Sequence, residues 1–162
     1  MQTKANQISL EELPRYYYAE TDSGLFTEPK GSPRTNLIDL CGGINVAESQ
    51  LSGHYGRTEV SIEQVILWDP DVIITDNLQF YNQIKFDEKW AGIKAVEDDK
   101  VYMIPHGPFS WFDRPNDINQ IVGIYWLGKI LYPDIADSIY IEEKVKDILS
   151  RFFSYFFRTP DL

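Results

Sequence analysis

The sequence is poor in the residues from which metal centres and disulfide frameworks are built. Its 162 residues contain one cysteine, Cys41, and two histidines, His54 and His106. One cysteine cannot form a disulfide within the chain, and two histidines so far apart match no recognised metal-ligand spacing. We therefore predict no metal site and no bound cofactor.

Basic residues and long apolar runs are also scarce. The chain has 15 Lys and Arg against 25 Asp and Glu, which gives a net charge of −10. Such an acidic chain suits neither nucleic acid nor an anionic lipid surface. No run of about 18 apolar residues is present to enter a membrane, and no signal segment opens the sequence. The content of 43% hydrophobic and 14% aromatic residues predicts a folded domain.

Motifs of catalysis are missing as well. The sequence has no glycine-rich nucleotide loop, no H-E-x-x-H and no G-x-S-x-G. We predict that the protein is not an enzyme. Two other classes stay open: a stand-alone small α/β hydrolase or transferase, which would need a nucleophile and a base at the strand ends, and an interaction domain.

What the sequence does have is a strong helix–turn–strand unit between residues 56 and 76. Ser61 and Gln64 form a capping box, and Val60 and Val65 stand where a hydrophobic staple packs. Val72–Thr75 follows as a short apolar, β-branched run, which is typical of a parallel strand covered on both faces. The unit therefore predicts a helix that leads into a buried strand.

Similar patterns recur along the chain. Strands are predicted at 15–19, 44–47 and 101–105, and helices at 87–96, 117–131 and about 142–157. A further helix is predicted after Ser32, with Leu37, Ile38, Leu40 and Cys41 as its buried stripe and Gly42 at its end. Strands that alternate with helices predict an α/β fold, a doubly wound, mostly parallel sheet flanked by helices.

In such sheets, ligands bind beyond the carboxyl ends of the strands. Those ends should feed loops 20–32, 48–58, 76–84 and 106–116, which carry Tyr55, Arg57, Phe80, Tyr81, Asn82, His106, Phe109, Trp111, Phe112, Asp113 and Arg114. Arginines and aromatics at one edge predict a pocket for an anionic, partly flat ligand. Two structural alternatives stay open: Arg57 pairing with Glu59, and Arg114 bracing its own loop.

The order of motifs resembles a known family. It runs from Arg-Tyr-Tyr-Tyr at 15–18 through Leu-Ile-Asp-Leu-Cys-Gly-Gly-Ile-Asn-Val-Ala at 37–47 to Trp-Phe-Asp-Arg-Pro at 111–115. The most specific pair is Val-Ser-Ile-Glu-Gln-Val at 60–65 with Asp-Pro-Asp-Val-Ile-Ile at 69–74. This order resembles the substrate-binding proteins of ABC importers that take up ferric siderophores, haem, vitamin B12 and some oxyanions.

The resemblance implies an extracytoplasmic protein, monomeric in solution, with two α/β lobes joined by one long helix. Residues 14–162 would form the C-terminal lobe only, and residues 1–13 a remnant of the inter-lobe linker. The ligand would lie in the cleft toward a missing first lobe. A ferric siderophore is the first expectation, with a molybdate- or tungstate-type oxyanion or a corrinoid as alternatives.

The resemblance also assigns roles to residues. Arg57 stands where the vitamin B12-binding member has a cleft tryptophan, which favours a charged ligand here. Glu63 stands on the glutamate that meets an arginine of the permease. The expected ligand-binding residues are Arg57, Arg114, Trp111, Tyr55, Tyr81 and His106.

Overall fold

The computed structural model describes residues 13–48, 56–106, 110–112 and 119–133, together with 143, 146, 147, 150 and 151. The chain divides into two compact units, residues 1–105 and 106–162. The described strands are β1 (Arg15–Ala19), β2 (Phe26–Thr27), β3 (Ile44–Asn45), β4 (Thr58–Glu59), β5 (Val72–Thr75) and β6 (Val101–Met103). The described helices are α1 (Asn36–Leu40), α2 (Ile62–Trp68), α3 (Leu78–Gln83), α4 (Lys94–Glu97) and α5 (Asn119–Leu131), with a 3-10 turn at Ile84–Phe86.

The first unit is built on a four-stranded parallel sheet in the order β3-β1-β5-β6. From β1 the chain goes to one side, to β3, and it then crosses to β5 and β6 on the other side. The predicted α/β fold, with a mostly parallel sheet flanked by helices, is confirmed. Because the connections diverge between β1 and β5, the crevice beyond their carboxyl ends is where ligands of such sheets bind.

The two central strands form the core, as their sequences predict. Tyr16, Tyr17, Tyr18 and Ala19 of β1 are fully buried, and all four residues of β5 are buried. Strands of a parallel sheet are covered on both faces, so continuous apolar runs are expected there. The hydroxyl of Tyr17 donates a hydrogen bond of 2.9 Å to the Gly24 carbonyl, which satisfies its buried polar end.

The helix–turn–strand unit has the predicted form. The Ser61 hydroxyl oxygen accepts a hydrogen bond of 3.2 Å from the Gln64 backbone N–H at the start of α2. Val65 is buried, and Val60 packs against the same core cluster. The helix ends at Asp69, which adopts a left-handed backbone with φ of 42°. These contacts hold α2 firmly at its amino end.

The helix predicted after Ser32 begins later than expected. Its N-cap is Thr35, and α1 runs from Asn36 to Leu40. The Ser32 hydroxyl oxygen accepts a hydrogen bond of 3.3 Å from the Arg34 N–H in the turn that precedes α1, and the same hydroxyl donates 2.8 Å to the buried carboxylate of Glu28. Leu40, predicted to be buried, is 74% exposed. Gly42 ends the helix with φ of +84°, as predicted.

Three further predictions needed correction. The segment 76–84 contains α3 rather than a loop, and the Asn77 side chain caps this helix by accepting 2.9 Å from the Phe80 N–H. The helix predicted at 87–96 is reduced to α4 at Lys94–Glu97. The loop 48–58 ends in β4, which pairs antiparallel with β2.

The described residues test only part of the predictions for the carboxyl-terminal unit. The proposed cap at Asp117 and the whole apolar stripe of the helix predicted at about 142–157 lie outside the described residues. The described positions there, 143, 146, 147, 150 and 151, are helical and exposed, and Arg151 pairs with Asp147 at 2.8 Å. Across the described part of the chain, no helix combines the length and apolarity needed to cross a bilayer.

Candidate ligand-binding site

Acidic side chains occupy the crevice between the two central strands. Glu20 directly follows β1, and Asp76 directly follows β5. The register pairs Ala19 with Thr75, so the two acidic residues leave the sheet side by side. The backbone N–H of Glu20 donates 2.7 Å to the Phe26 carbonyl, which fixes Glu20 against β2. Sequence reasoning counted Glu20 only as the start of a loop.

Two arginines and a second glutamate complete what we call the charged cluster: Glu20, Glu28, Arg34 and Arg57. Arg57 Nε lies 3.1 Å from Glu20 Oε1, and Arg34 Nη1 lies 2.7 Å from Glu28 Oε1. Arg34 Nη1 is also 3.9 Å from Glu20 Oε1, so it links the two pairs. The glutamate side chains have no exposure, whereas Arg34 is 30% and Arg57 42% exposed. The cluster therefore places buried carboxylates behind partly exposed guanidiniums.

The carboxylate of Glu28 is held on both sides. Ser32 donates to Glu28 Oε2 at 2.8 Å, and Arg34 donates to Glu28 Oε1 at 2.7 Å. The Asn45 side-chain amide donates 2.9 Å to the Glu28 carbonyl, which anchors the backbone at the same point. A carboxylate with these contacts is a structural ion pair.

Glu20 has a different electrostatic environment. Burial raises its pKa from the ordinary value of 4.5 to about 7, while the charge of Arg57 lowers it and the charges of Glu28 and Asp76 raise it. Arg57 must therefore balance desolvation and two like charges. This carboxyl changes its charge near neutral pH, where an ordinary glutamate is always ionised.

Arg57, predicted to bind ligand, joins this cluster. Its ion-pair partner is the buried Glu20, not Glu59 as in the structural alternative. Because 42% of its side chain is exposed, part of its five-donor guanidinium can face a solute. The cluster also contains Arg34, Glu20 and Glu28, which sequence reasoning missed. A charged residue next to the end of a buried strand, as Glu20 is, was the available signal.

The remaining predicted site residues are distributed differently. Tyr81 lies on α3, and its half-buried side chain packs against the core cluster. Trp111 is half-buried and His106 exposed, and both belong to the unit 106–162. Tyr55 and Arg114 lie outside the described residues. Phe80 and Phe112, which were expected in the loops at the ligand-binding edge of the sheet, are buried at 3% and 0% exposure.

A depression of about 540 Å³ opens beside the amino end of α2. It is lined by Glu48, Glu59, Val60, Ser61, Gln64 and Trp68. Two carboxylates in its wall make it a poor receptor for an anion. Within the described ranges, no group of three or more His, Cys, Asp and Glu side chains is arranged to hold a metal ion. Arg57 is therefore the described feature at this edge that best suits an anionic ligand.

Comparison with known proteins places the chain in a family. The model of the family described as periplasmic binding protein matches residues 5–107, which is more than half of the chain. The chain belongs to the periplasmic binding protein family. The resemblance stated from the sequence is thereby confirmed.

Two curated relatives are similar over much of this chain. The molybdate-binding protein MolA of Haemophilus influenzae is 29% identical over 153 residues, which are 93% of this chain and 42% of MolA. The vitamin B12-binding protein of Vibrio cholerae is 28% identical over 116 residues, 71% of this chain and 40% of that protein. This chain thus spans less than half the length of either relative. Both relatives are described as binding proteins, not as enzymes.

Solved structures show the same partial coverage. An ABC transporter solute binding protein from Sulfurospirillum deleyianum has a TM-score of 0.85 at 41% identity, covering 92% of this chain and 46% of that chain. MolA of Haemophilus influenzae bound to molybdate has a TM-score of 0.70 at 27% identity, covering 92% of this chain and 44% of that chain. The fold of this chain is therefore that of a part of ABC transporter solute-binding proteins.

Proposed function

We propose that this chain is the ligand-binding lobe of a substrate-binding protein that captures an anionic solute outside the cytoplasm for an ABC importer. The observation that carries the proposal is Arg57, a partly exposed guanidinium held by a buried glutamate at the switch point of the sheet. Solute-binding relatives and membership of the periplasmic binding protein family support the capture role. An anchored, partly exposed arginine suits capture of an anion, because its planar fork matches carboxylate and oxyanion geometry.

A molybdate-type oxyanion is the ligand that the relatives favour. MolA, which is similar over 93% of this chain, is named a molybdate-binding protein and was solved with molybdate bound. A compact oxyanion can be recognised by the planar fork of one well-placed arginine and a few further donors.

A ferric siderophore, the ligand expected first from the sequence, is the second candidate. Siderophore complexes are larger and need aromatic walls, and the half-buried ring of Tyr81 on α3, which follows β5, supports this reading. A corrinoid such as vitamin B12 is less well supported. Its binding gains little from the charge that Arg57 presents.

Calorimetry of the full-length binding protein that contains this lobe with molybdate, tungstate, a panel of ferric siderophores and cyanocobalamin tests the proposal. We expect an anion to bind, and Arg57→Ala and Arg114→Ala each to weaken its binding by about 1.5–3 kcal/mol, as for a hydrogen bond to a charged group. Arg15→Ala is the matched control, because Arg15 is exposed at the opposite, amino end of β1. Unchanged affinity in the Arg57 and Arg114 variants would return both residues to solvated or loop-bracing roles.

The permease of the importer is the proposed protein partner, and Glu63 its proposed contact. Glu63 is exposed in the first turn of α2, whose capped amino end is rigidly packed. An exposed charge on a fixed helix end suits orientation of a docking partner more than it suits ligand binding.

A further inference from the structure

The two partners of the ion pair between Arg57 and Glu20 differ in their exposure, and this difference affects how an anion can bind. Glu20 is fully buried, whereas Arg57 is 42% exposed and makes its 3.1 Å contact through Nε. One acceptor at Nε leaves further N–H donors of the same guanidinium for a second acceptor. A solute that contacts Arg57 therefore shares this cation with Glu20.

The two described arginines near Glu20 lie at different distances from it. Nη1 of Arg34 lies 3.9 Å from Glu20 and 2.7 Å from Glu28, whereas Arg57 Nε lies 3.1 Å from Glu20. Glu28 and Asp76 add negative charge from the segments after β2 and β5, and the buried ring of Tyr17 lies on β1 itself. Burial raises the pKa of Glu20 to about 7 despite Arg57. An additional anion beside Arg57 would favour the protonated carboxyl still further.

We propose that Glu20 is the residue that positions Arg57 for an anionic ligand, and that it takes up one proton from solvent when that ligand binds. This inference rests on the proposed function, because it concerns the same arginine. In the free protein at alkaline pH, the ionised Glu20 neutralises Arg57 and competes with the ligand for it. Once protonated, Glu20 keeps a carbonyl oxygen that accepts a hydrogen bond from Arg57 Nε. The neutral carboxyl no longer cancels the positive charge of Arg57. Glu20 therefore holds the guanidinium in place in both states.

The thermodynamic linkage between proton binding and anion binding determines how the affinity for the anion changes with pH. A group that gains a proton on binding makes the affinity fall as pH rises above its pKa in the free protein. With full coupling, the dissociation constant rises up to about tenfold per pH unit. Below the free-protein pKa, Glu20 is already protonated and the affinity should level off. A merely structural Glu20 would not produce this profile.

The test is calorimetric titration of the full-length binding protein that contains this lobe with molybdate at pH 6.5, 7.5 and 8.5, in buffers of different ionisation enthalpy. We expect wild-type affinity to fall with rising pH, with proton uptake near one per anion at pH 8.5. Glu20→Gln should remove the pH dependence and bind molybdate about thirtyfold more tightly than wild type at pH 8.5, because it mimics the protonated carboxyl and pH 8.5 lies about 1.5 units above the pKa of Glu20. Glu88→Gln, at an exposed glutamate, is the matched control and should behave as wild type.

A second measurement needs no ligand. Carbon-13 NMR of the glutamate carboxyls should show one group that titrates near neutral pH and is missing from Glu20→Gln. A midpoint below pH 5 overturns the inference, whatever the chain binds. Molybdate binding with no pH dependence, or a Glu20→Gln variant that binds more weakly at every pH, overturns it while the proposed function stands. Absence of binding by wild type and variant alike overturns both.

Discussion

Two glutamates of the charged cluster share their surroundings but differ in their chemistry. Glu20 and Glu28 are both fully buried, and both lie near Arg34. Glu28 receives a hydroxyl and a guanidinium at 2.8 and 2.7 Å, whereas Glu20 faces the partly exposed Arg57 at 3.1 Å and Arg34 only at 3.9 Å. The two equally buried carboxylates therefore differ in their described contacts, and burial raises the pKa of Glu20 despite the charge of Arg57.

The largest effect on stability should come from removing the Glu28 side chain. Glu28→Ala leaves the Arg34 guanidinium and the Ser32 hydroxyl without their buried acceptor. Removing one partner of a buried ion pair costs about 3–5 kcal/mol of unfolding free energy. Urea unfolding at pH 8 measures this loss, and Glu88→Ala serves as the exposed control. A loss below about 1 kcal/mol would mean that Glu28 is as dispensable as a surface residue.

The next effect concerns the pH dependence of stability. The pKa of Glu20 is about 7 in the folded protein against an ordinary 4.5, so the folded state binds this proton more tightly than the unfolded state. The stabilisation by the protonated carboxyl is complete below pH 4.5 and is lost as pH rises through 7. The loss is on the order of 3 kcal/mol, since each unit of pKa shift corresponds to about 1.4 kcal/mol.

Urea unfolding of wild type and Glu20→Gln between pH 5 and 8.5 isolates this contribution. The difference in unfolding free energy between the two proteins should grow with pH, in favour of Glu20→Gln. Taking the difference removes other titrating groups that the two proteins share. Parallel curves would show that Glu20 does not change its charge between pH 5 and 8.5 and would contradict this prediction.

Patterns carried by neighbouring residues were predictable, and those that depend on tertiary partners were not. β5 and the Ser61 cap follow from an apolar run and a local side-chain contact. The predicted start of α1 was wrong because a turn, closed by the Thr35 N–H on the Ser32 carbonyl, comes before the helix. α3 was missed although Asn77 is a common N-cap residue.

The same rule applies to the site. Arg57 could be singled out, because a charged residue before a capped helix at the carboxyl edge is visible in the sequence. Its ion pair with Glu20 could not be predicted, since their meeting depends on the pairing of β2 with β4 and of β1 with β5. Sequence reasoning therefore found the exposed arginine of the ion pair but missed its buried carboxylate.

The smallest effect on stability is expected at a third glutamate, Glu63, which extends the comparison to the surface. Its side chain is exposed, and its pKa is lowered because the carboxylate accepts hydrogen bonds from its own backbone N–H and from the Ser61 hydroxyl. Glu63 is therefore ionised at neutral pH and held in one place on α2. Leu67, one turn further along the same helix, is 77% exposed, so an apolar side chain stands near the charge. A charge beside exposed apolar surface is common where a protein meets a partner.

Glu63→Lys should leave the urea midpoint and the ligand affinity close to those of the parent, because the side chain contacts neither the core nor Arg57. Uptake of the ligand by cells that express the importer should fall, since reversing a rim charge slows encounter and disturbs orientation. In proteoliposomes, the difference should shrink as salt is raised, because exposed charges are screened. Glu88→Lys reverses an exposed charge elsewhere and should transport normally. If Glu63→Lys supports uptake as well as the parent does, Glu63 is only a charge in the first turn of α2, and the docking surface lies elsewhere.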